Sequence, residues 1–180
     1  MAAIALATAD LSRQSCLPSP PAVRLIAIEP QPNEFDAWQA YQAREYSREK
    51  VASGAWSAES ALARAETENA GLLPNGFVTT GHHIRRIEDK ATQELIGWIW
   101  VSLAAEGPPG LAGLYDIEII PEHRGQGQSR EVMQLAEMEA KLLGCTRLGL
   151  HVFATNKVAH HLYETCGYQV TDLSMVKVIG

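Results

Sequence analysis

The residues best suited to chemistry lie in one run, Ile119-Ile120-Pro121-Glu122-His123-Arg124-Gly125-Gln126-Gly127-Gln128-Ser129-Arg130. An apolar strand meets a proline, then a basic glycine loop, then a helix. Gly125 and Gly127 let the chain turn with its amides exposed. A helix starting near Gly127 to Ser129 leaves its first N–H groups unpaired and pointing into the loop. Together with Arg124 these make an anion site, best suited to phosphate. Arg130 can add a second positive charge. By itself, a strand, glycine loop and helix is also what a tight turn without a ligand looks like.

The elements that must hold this loop can be read on either side. From Leu114 to Ile120 the pattern has period two, with Tyr115, Ile117 and Ile119 on one face and Asp116 and Glu118 on the other. Pro121 removes a ladder donor and ends the strand. The helix from about Gly127 to Leu143 buries Val132, Ala136, Ala140 and Leu143, and Gly144 stops it. A strand from Leu148 to Phe153 follows, with Gly149, His151 and Phe153 sharing a face. Strand, crossover helix and strand imply a parallel pair. Asn156 caps a last helix, Lys157 to Cys166, and Tyr168 to Ile179 reads as a final strand.

The first half supplies a strand over Ala22 to Ile28 and a helix from Glu34 to about Ala52, capped by Asn33. A second helix runs from Ser57 to about Asn69. Gly81 to Asp89 and Leu95 to Leu103 form an antiparallel hairpin. Phe35, Trp38, Tyr41 and Tyr46 line the apolar face of the first helix. Trp98 and Trp100 share a face of the hairpin, either beneath a helix or walling a cleft. His82 and His83 read as a solvated strand start, and Glu66, Glu68, Glu137 and Glu139 as solvated faces.

Composition narrows the class. The chain has 180 residues, with 46% hydrophobic and 20% charged, as in an ordinary globular domain. Prolines at 18, 20 and 21 mark residues 1–21 as a flexible tail and 22–180 as one domain. The net charge of -6 argues against an extended nucleic-acid surface. Cys16, Cys145 and Cys166 lack metal-ligand spacing, so no metal is expected, and free thiols suit a cytoplasmic setting. No apolar run is long enough for a membrane span.

The glycine loop resembles the acyl-CoA-binding core of the GNAT superfamily of N-acetyltransferases. That signature (Arg or Gln, two residues, Gly, one residue, Gly or Ala) falls on Arg124, Gly127 and Ser129, with Ser129 departing from the pattern and Gln128 standing where an apolar residue is common. A second block resembles the same family: Leu150-His151-Val152-Phe153-Ala154-Thr155-Asn156, then Ala159, Leu162-Tyr163-Glu164 and Gly167-Tyr168. The resemblance implies an α/β (α+β) fold, a mixed and strongly twisted central sheet of about six or seven strands flanked by about four helices. It implies acetyl-CoA as cosubstrate, held by Arg124, Gly125, Gln126, Gly127, Gln128, Ser129 and Arg130, with Asn156 on the pantetheine. The amide of Ile119 or Ile120 would stabilise the thioester oxyanion, and Tyr163 would protonate the thiolate. The acceptor would be a primary amine on a small molecule or peptide, attacking directly in a ternary complex. Homodimers are common in that family.

An attacking amine must be neutral, so its ammonium has to lose a proton. Two residues are candidates for a part in this: Glu118 on the polar face of the central strand, and His151, whose ordinary pKa of ~6.5 suits a base at neutral pH. Gln128 and Ser129 favour a second reading, a non-catalytic acyl-CoA sensor on the same scaffold, whereas Tyr163 favours the enzyme.

Overall fold

The computed structural model describes residues 24–103, 108–154, 156–173, 175, 177 and 179. The expected tail, 1–21, lies outside them. Five strands form one sheet in sequence order: β1 (Leu25–Ile28), β2 (His82–Asp89), β3 (Leu95–Leu103), β4 (Leu111–Ile119) and β5 (Arg147–Leu150). The first three pairings are antiparallel, and β4 with β5 is parallel, as the crossover helix requires. The helices are α1 (Pro32–Ala52), α2 (Ala61–Leu72), α3 (Ser129–Leu142) and α4 (Lys157–Thr165). The mixed α/β class is as expected. The strands number five among the described residues, because the described part of Tyr168 to Ile179 forms none; residues 174, 176, 178 and 180 of that arm are outside the description.

The helix starts differ from the sequence reading. Helix α1 begins at Pro32, whose fixed φ suits the first helical position, so Asn33 is already inside the helix. The Gln31 amide instead donates to the Glu34 carboxylate at 2.8 Å. Residues 57–60 form a turn, and α2 starts only at Ala61. Gly144 ends α3 with φ of +77°, as the glycine there anticipates.

The two faces of the sheet are unlike. Ile99, Val101 and Leu114 pack under α3 with Val132, Met133 and Ala136, an apolar core with Ile117 and Ile119 at its margin. On the other face Trp98 and Trp100 lie under α1. Trp38 stacks on Trp98 with centroids 5.8 Å apart and meets Trp100 edge-on at 5.8 Å. That matches the packing reading of the two tryptophans.

Strict alternation fails at one place in β4. The register slips between Trp100 and Val101: Val101 faces Leu114 but Trp100 faces Asp116. Tyr115 is the extra residue of this bulge. It stacks on Trp100 at 5.0 Å, on the tryptophan side, while Ile117 stays with the α3 core. Tyr115 therefore does not share a face with Ile117 as expected.

The region of His82 and His83 is also not a solvated start. The Trp100 indole donates to His82 Nδ1 at 3.0 Å, and burial lowers the His82 pKa. Glu139, expected on a solvated face, is 6% exposed. It meets His83 Nδ1 at 2.7 Å and Arg85 Nε at 3.2 Å across the α3–β2 contact.

Candidate active site

Strand β4 leaves the sheet at Glu118 and Ile119, and there the polar side chains gather. The Tyr41 hydroxyl, from α1, donates to Glu118 Oε1 at 2.5 Å. Arg124 turns back along β4, donating from Nη2 to Glu118 Oε1 at 2.9 Å and from Nε to the Ile119 carbonyl at 2.8 Å. Burial raises the Glu118 pKa, against the opposing pull of Tyr41 and Arg124. The same carboxylate, after burial itself, pushes Tyr41 up to about 12. A cavity of about 380 Å³ opens beside them, lined among others by Trp38, Tyr41, Trp98, Glu118, Ile120 and Glu122. Trp98 thus serves both as core and as cleft wall. Gly97 permits this packing: a Cβ there would sit 1.9 Å from the Glu118 carbonyl oxygen.

One pleat back on the same face stands Asp116, opposite Trp100. Its Oδ2 is buried without a partner, and so is the Trp38 indole N–H. The indole favours the charged carboxylate from nearby, but the two atoms stop short of hydrogen-bond geometry. Burial, reinforced by the charge of Glu118, lifts the Asp116 pKa to about 7.

Among the described residues, no strand pairs with this edge of β4 beyond Leu114. Strands β4 and β5 pair only from Leu111 with Arg147 to Leu114 with Leu150. Beyond Leu114 the bulge redirects β4, and β5 stops at Leu150, short of the expected Phe153. The Ile120 amide is taken by the Ile96 carbonyl at 2.9 Å. Strand alternation then turns the Ile119 amide to the opposite edge, the one β5 has left.

The loop follows. A short turn, Pro121–His123, leads to Arg124. Gly125 and Gly127 have φ of +73° and +77°, and a Cβ on either would meet nothing within 4 Å. The cradle is open, as an anion-binding loop at a helix start requires. The Gln126 amide donates to the Glu122 carbonyl at 3.2 Å. Gln128 precedes α3 and points inward: it is 6% exposed, and neither its Oε1 nor its Nε2 has a partner. An apolar side chain suits that position better. Ser129 is the first residue of α3 and Arg130 the second.

Tyr163, in α4, packs against the core under α3 and lies within electrostatic reach of Asp116 and Glu49. Burial raises its pKa first, then the charges of Asp116 and Glu49. Glu49 is itself raised, by burial and then by Glu45, and it interacts electrostatically with Lys50 and Glu118. Asn156 caps α4, its Oδ1 accepting from the Ala159 amide at 3.1 Å. His151 lies just past the end of β5, exposed, with its ring 5.2 Å from Phe153. Phe153 lies 5.9 Å from the Lys50 ammonium, which also sits over Tyr46 at 5.1 Å and Trp56 at 5.6 Å. Lys50 of α1 thus meets the loop before α4 through Phe153.

The fold therefore brings Glu118, Ile119, Ile120 and Arg124 together, sets Tyr163 within electrostatic reach of the same strand, and leaves His151 exposed past the end of β5, outside the cavity lining. Reading the sequence missed Asp116 and Glu49 near this site, while the aromatic face of the first helix, which could be core or line a pocket, does place Trp38 and Tyr41 on the cavity. The signal for Asp116 was present: an acid in the middle of a strand, two residues from Glu118 and so on its face. Among the described residues no His, Cys, Asp and Glu cluster could hold a metal ion, and no helix is long and apolar enough to cross a membrane.

Residues 40–168 match the Acetyltransferase (GNAT) family, and the chain belongs to it. It is 33% identical over 147 residues to the uncharacterised N-acetyltransferase YycN of Bacillus subtilis, covering 82% of this chain and 94% of that one. The crystal structure of YycN superposes with a TM-score of 0.79 at 32% identity, over 86% of this chain and 98% of YycN. An aminoglycoside N(6')-acetyltransferase type 1 of Acinetobacter baumannii is 25% identical over 101 residues, 53% of this chain and 69% of that one. The chain is an acetyltransferase of this family.

Proposed function

We propose that the protein transfers the acetyl group of acetyl-CoA to a primary amine by direct attack in a ternary complex. The observation that carries this is the edge of β4 beyond Leu114, unpaired among the described residues and flanked by the glycine cradle on one side and the acidic, aromatic cleft on the other. The cradle from Arg124 to Arg130, with the start of α3, fits the phosphates of the cosubstrate. Asn156 and that edge of β4 suit its pantetheine arm.

The acceptor enters on the α1 face. Trp38, Tyr41 and Trp98 give the cavity aromatic walls, and Glu118 and Glu122 give it negative charge, which together suit a cationic amine. The Glu118 carboxylate meets the acceptor's ammonium, held in place by Tyr41 and Arg124. As nitrogen attacks the thioester carbon, its oxygen gains negative charge. The Ile119 amide is the donor for it, since the Ile120 amide is engaged with Ile96. When the carbon–sulfur bond breaks, Tyr163 protonates the thiolate; its raised pKa keeps the hydroxyl protonated at neutral pH.

Calorimetric titration with acetyl-CoA, followed by thiol release in the presence of amines, tests this reading. Binding with amine-dependent release of free thiol is the expected result. Binding without release on any amine would favour an acyl-CoA sensor, and absence of binding would contradict the role of the cradle.

A further inference from the structure

Glu34, Glu118 and Glu122 all line the cavity beside β4, but they are unequally free to meet a cation. Glu34 uses both of its oxygens. Its Oε1 is held by the Arg86 guanidinium, and its Oε2 accepts from the Gln31 amide at 2.8 Å. Glu122 is exposed, so water and salt screen its charge. Glu118 differs from both. Tyr41 and Arg124 donate to the same oxygen, Oε1, at 2.5 and 2.9 Å. An ionised carboxylate has about four lone-pair sites. Oε2 takes neither of those two bonds, so Glu118 keeps room for one ammonium.

The walls next to that place are apolar. Trp98 lies directly opposite Glu118 across β3 and β4, and Arg86 directly opposite Trp98 across β2 and β3. Carboxylate, indole and guanidinium therefore stand in one row on one face of the sheet. The backbones at its two ends are roughly 10 Å apart, two strand spacings. Trp38 stacks on Trp98 at 5.8 Å, and Leu95 and Ile120 complete the apolar lining around the indole. At the far end Arg86 is held between Glu34 and Glu88, the latter at 2.6 Å. A second ammonium carried to that end would meet a guanidinium and no free oxygen of Glu34. A ring would meet indole and guanidinium, both of which stack on aromatic faces. The volume, about 380 Å³, is in the range that encloses a small ligand.

We propose that the acceptor is a monoamine carrying one apolar ring on a short link, an arylalkylamine, rather than a polycation. Its ammonium sits on Glu118 Oε2, its ring lies against Trp98, and the Arg86–Glu34 pair bounds the far end. The term acceptor rests on the acetyl-transfer reading above; the binding preference does not.

Calorimetry in the presence of CoA reads that preference without turnover. 2-Phenylethylamine should bind at least about tenfold tighter than n-butylamine and than spermidine, because its ring removes apolar surface from water. Tighter binding of spermidine or neamine, or equal binding of 2-phenylethylamine and n-butylamine, would overturn the proposal. Ala37→Leu then locates the ring. Ala37 lines the cavity from an exposed position of α1, where leucine is also a good helix former. The added bulk should weaken 2-phenylethylamine by about tenfold and n-butylamine by less than about twofold. Unchanged affinity for both amines would put the ring elsewhere and sink the proposal. Thiol release from acetyl-CoA completes the test, with kcat/KM expected in the same order of amines. Faster turnover of spermidine than of 2-phenylethylamine would overturn the proposal and leave acetyl transfer standing. Binding in the expected order with no thiol released would contradict acetyl transfer and support the arylalkylamine site.

Discussion

Strand β3 shows one side chain in two to each face of the sheet, and the two faces have been put to different uses. Under α3, Ile99 and Val101 meet Val132, Met133 and Ala136, all buried and all apolar. Under α1, Trp98 and Trp100 meet Trp38, and within the same layer lie Asp116, Glu118, Tyr41 and a cavity. The first face is mostly apolar, with Glu139 held by His83 and Arg85 at its margin, and supplies burial energy at roughly 25 cal/mol per Å² of apolar area. The second holds the Asp116 carboxyl and the Trp38 indole N–H buried near each other, short of hydrogen-bond geometry, within a layer of aromatic side chains. One sheet thus packs a mostly apolar layer on one side and a mixed aromatic and acidic layer on the other.

Substitutions can break that contrast or sharpen it. The largest stability effect is expected under α3. Met133→Ala should cost about 2–5 kcal/mol in chemical denaturation, with kcat of the folded fraction within about twofold of wild type. Tyr163→Phe should do the reverse, cutting kcat by about 10²-fold while leaving acetyl-CoA affinity, read by calorimetry, within about threefold. Equal losses of stability in both variants would erase the distinction between the faces.

A smaller effect depends on pH. The Asp116 carboxyl is raised from 3.8 to about 7 in the folded protein. Below 3.8 both states are protonated and the group contributes nothing. As pH rises from there to about 7, the unfolded chain ionises while the folded one does not, so stability is lost across that window. Asp116→Asn should therefore melt close to wild type near pH 4, and several degrees above it at pH 8, as followed by circular dichroism. An unchanged difference at the two pH values would count against the burial of this charge. The smallest effect is at Gln128, whose amide atoms are buried unpaired beside the start of α3. Gln128→Leu should stabilise by about 1–2 kcal/mol in a denaturant titration. A loss of stability would mean that the amide has a partner, such as ordered water.

Much of the α3 side was legible in the sequence, because a helical stripe and a period-two strand report directly on burial. The glycine loop, the Asn156 cap and the parallel crossover were legible for the same local reasons. The α1 side was less so. The bulge at Tyr115 depends on how β3 pairs with β4, and no local pattern announces it. The Glu139 contacts with His83 and Arg85 join α3 to β2 across the fold, so isolated charges looked solvated. Asp116 was visible as an acid in a strand. Its raised pKa comes from burial and from the Glu118 charge beside it.

The most direct test of the central claim is the mass of an amine after incubation with acetyl-CoA and the protein, with Tyr163→Phe in parallel. The account predicts an amine carrying one added acetyl group, formed by the wild type and about a hundredfold more slowly by Tyr163→Phe. Acetyl-CoA consumed by water with no acetylated amine would contradict acetyl transfer to an amine, and equal rates from the two proteins would contradict the role given to Tyr163.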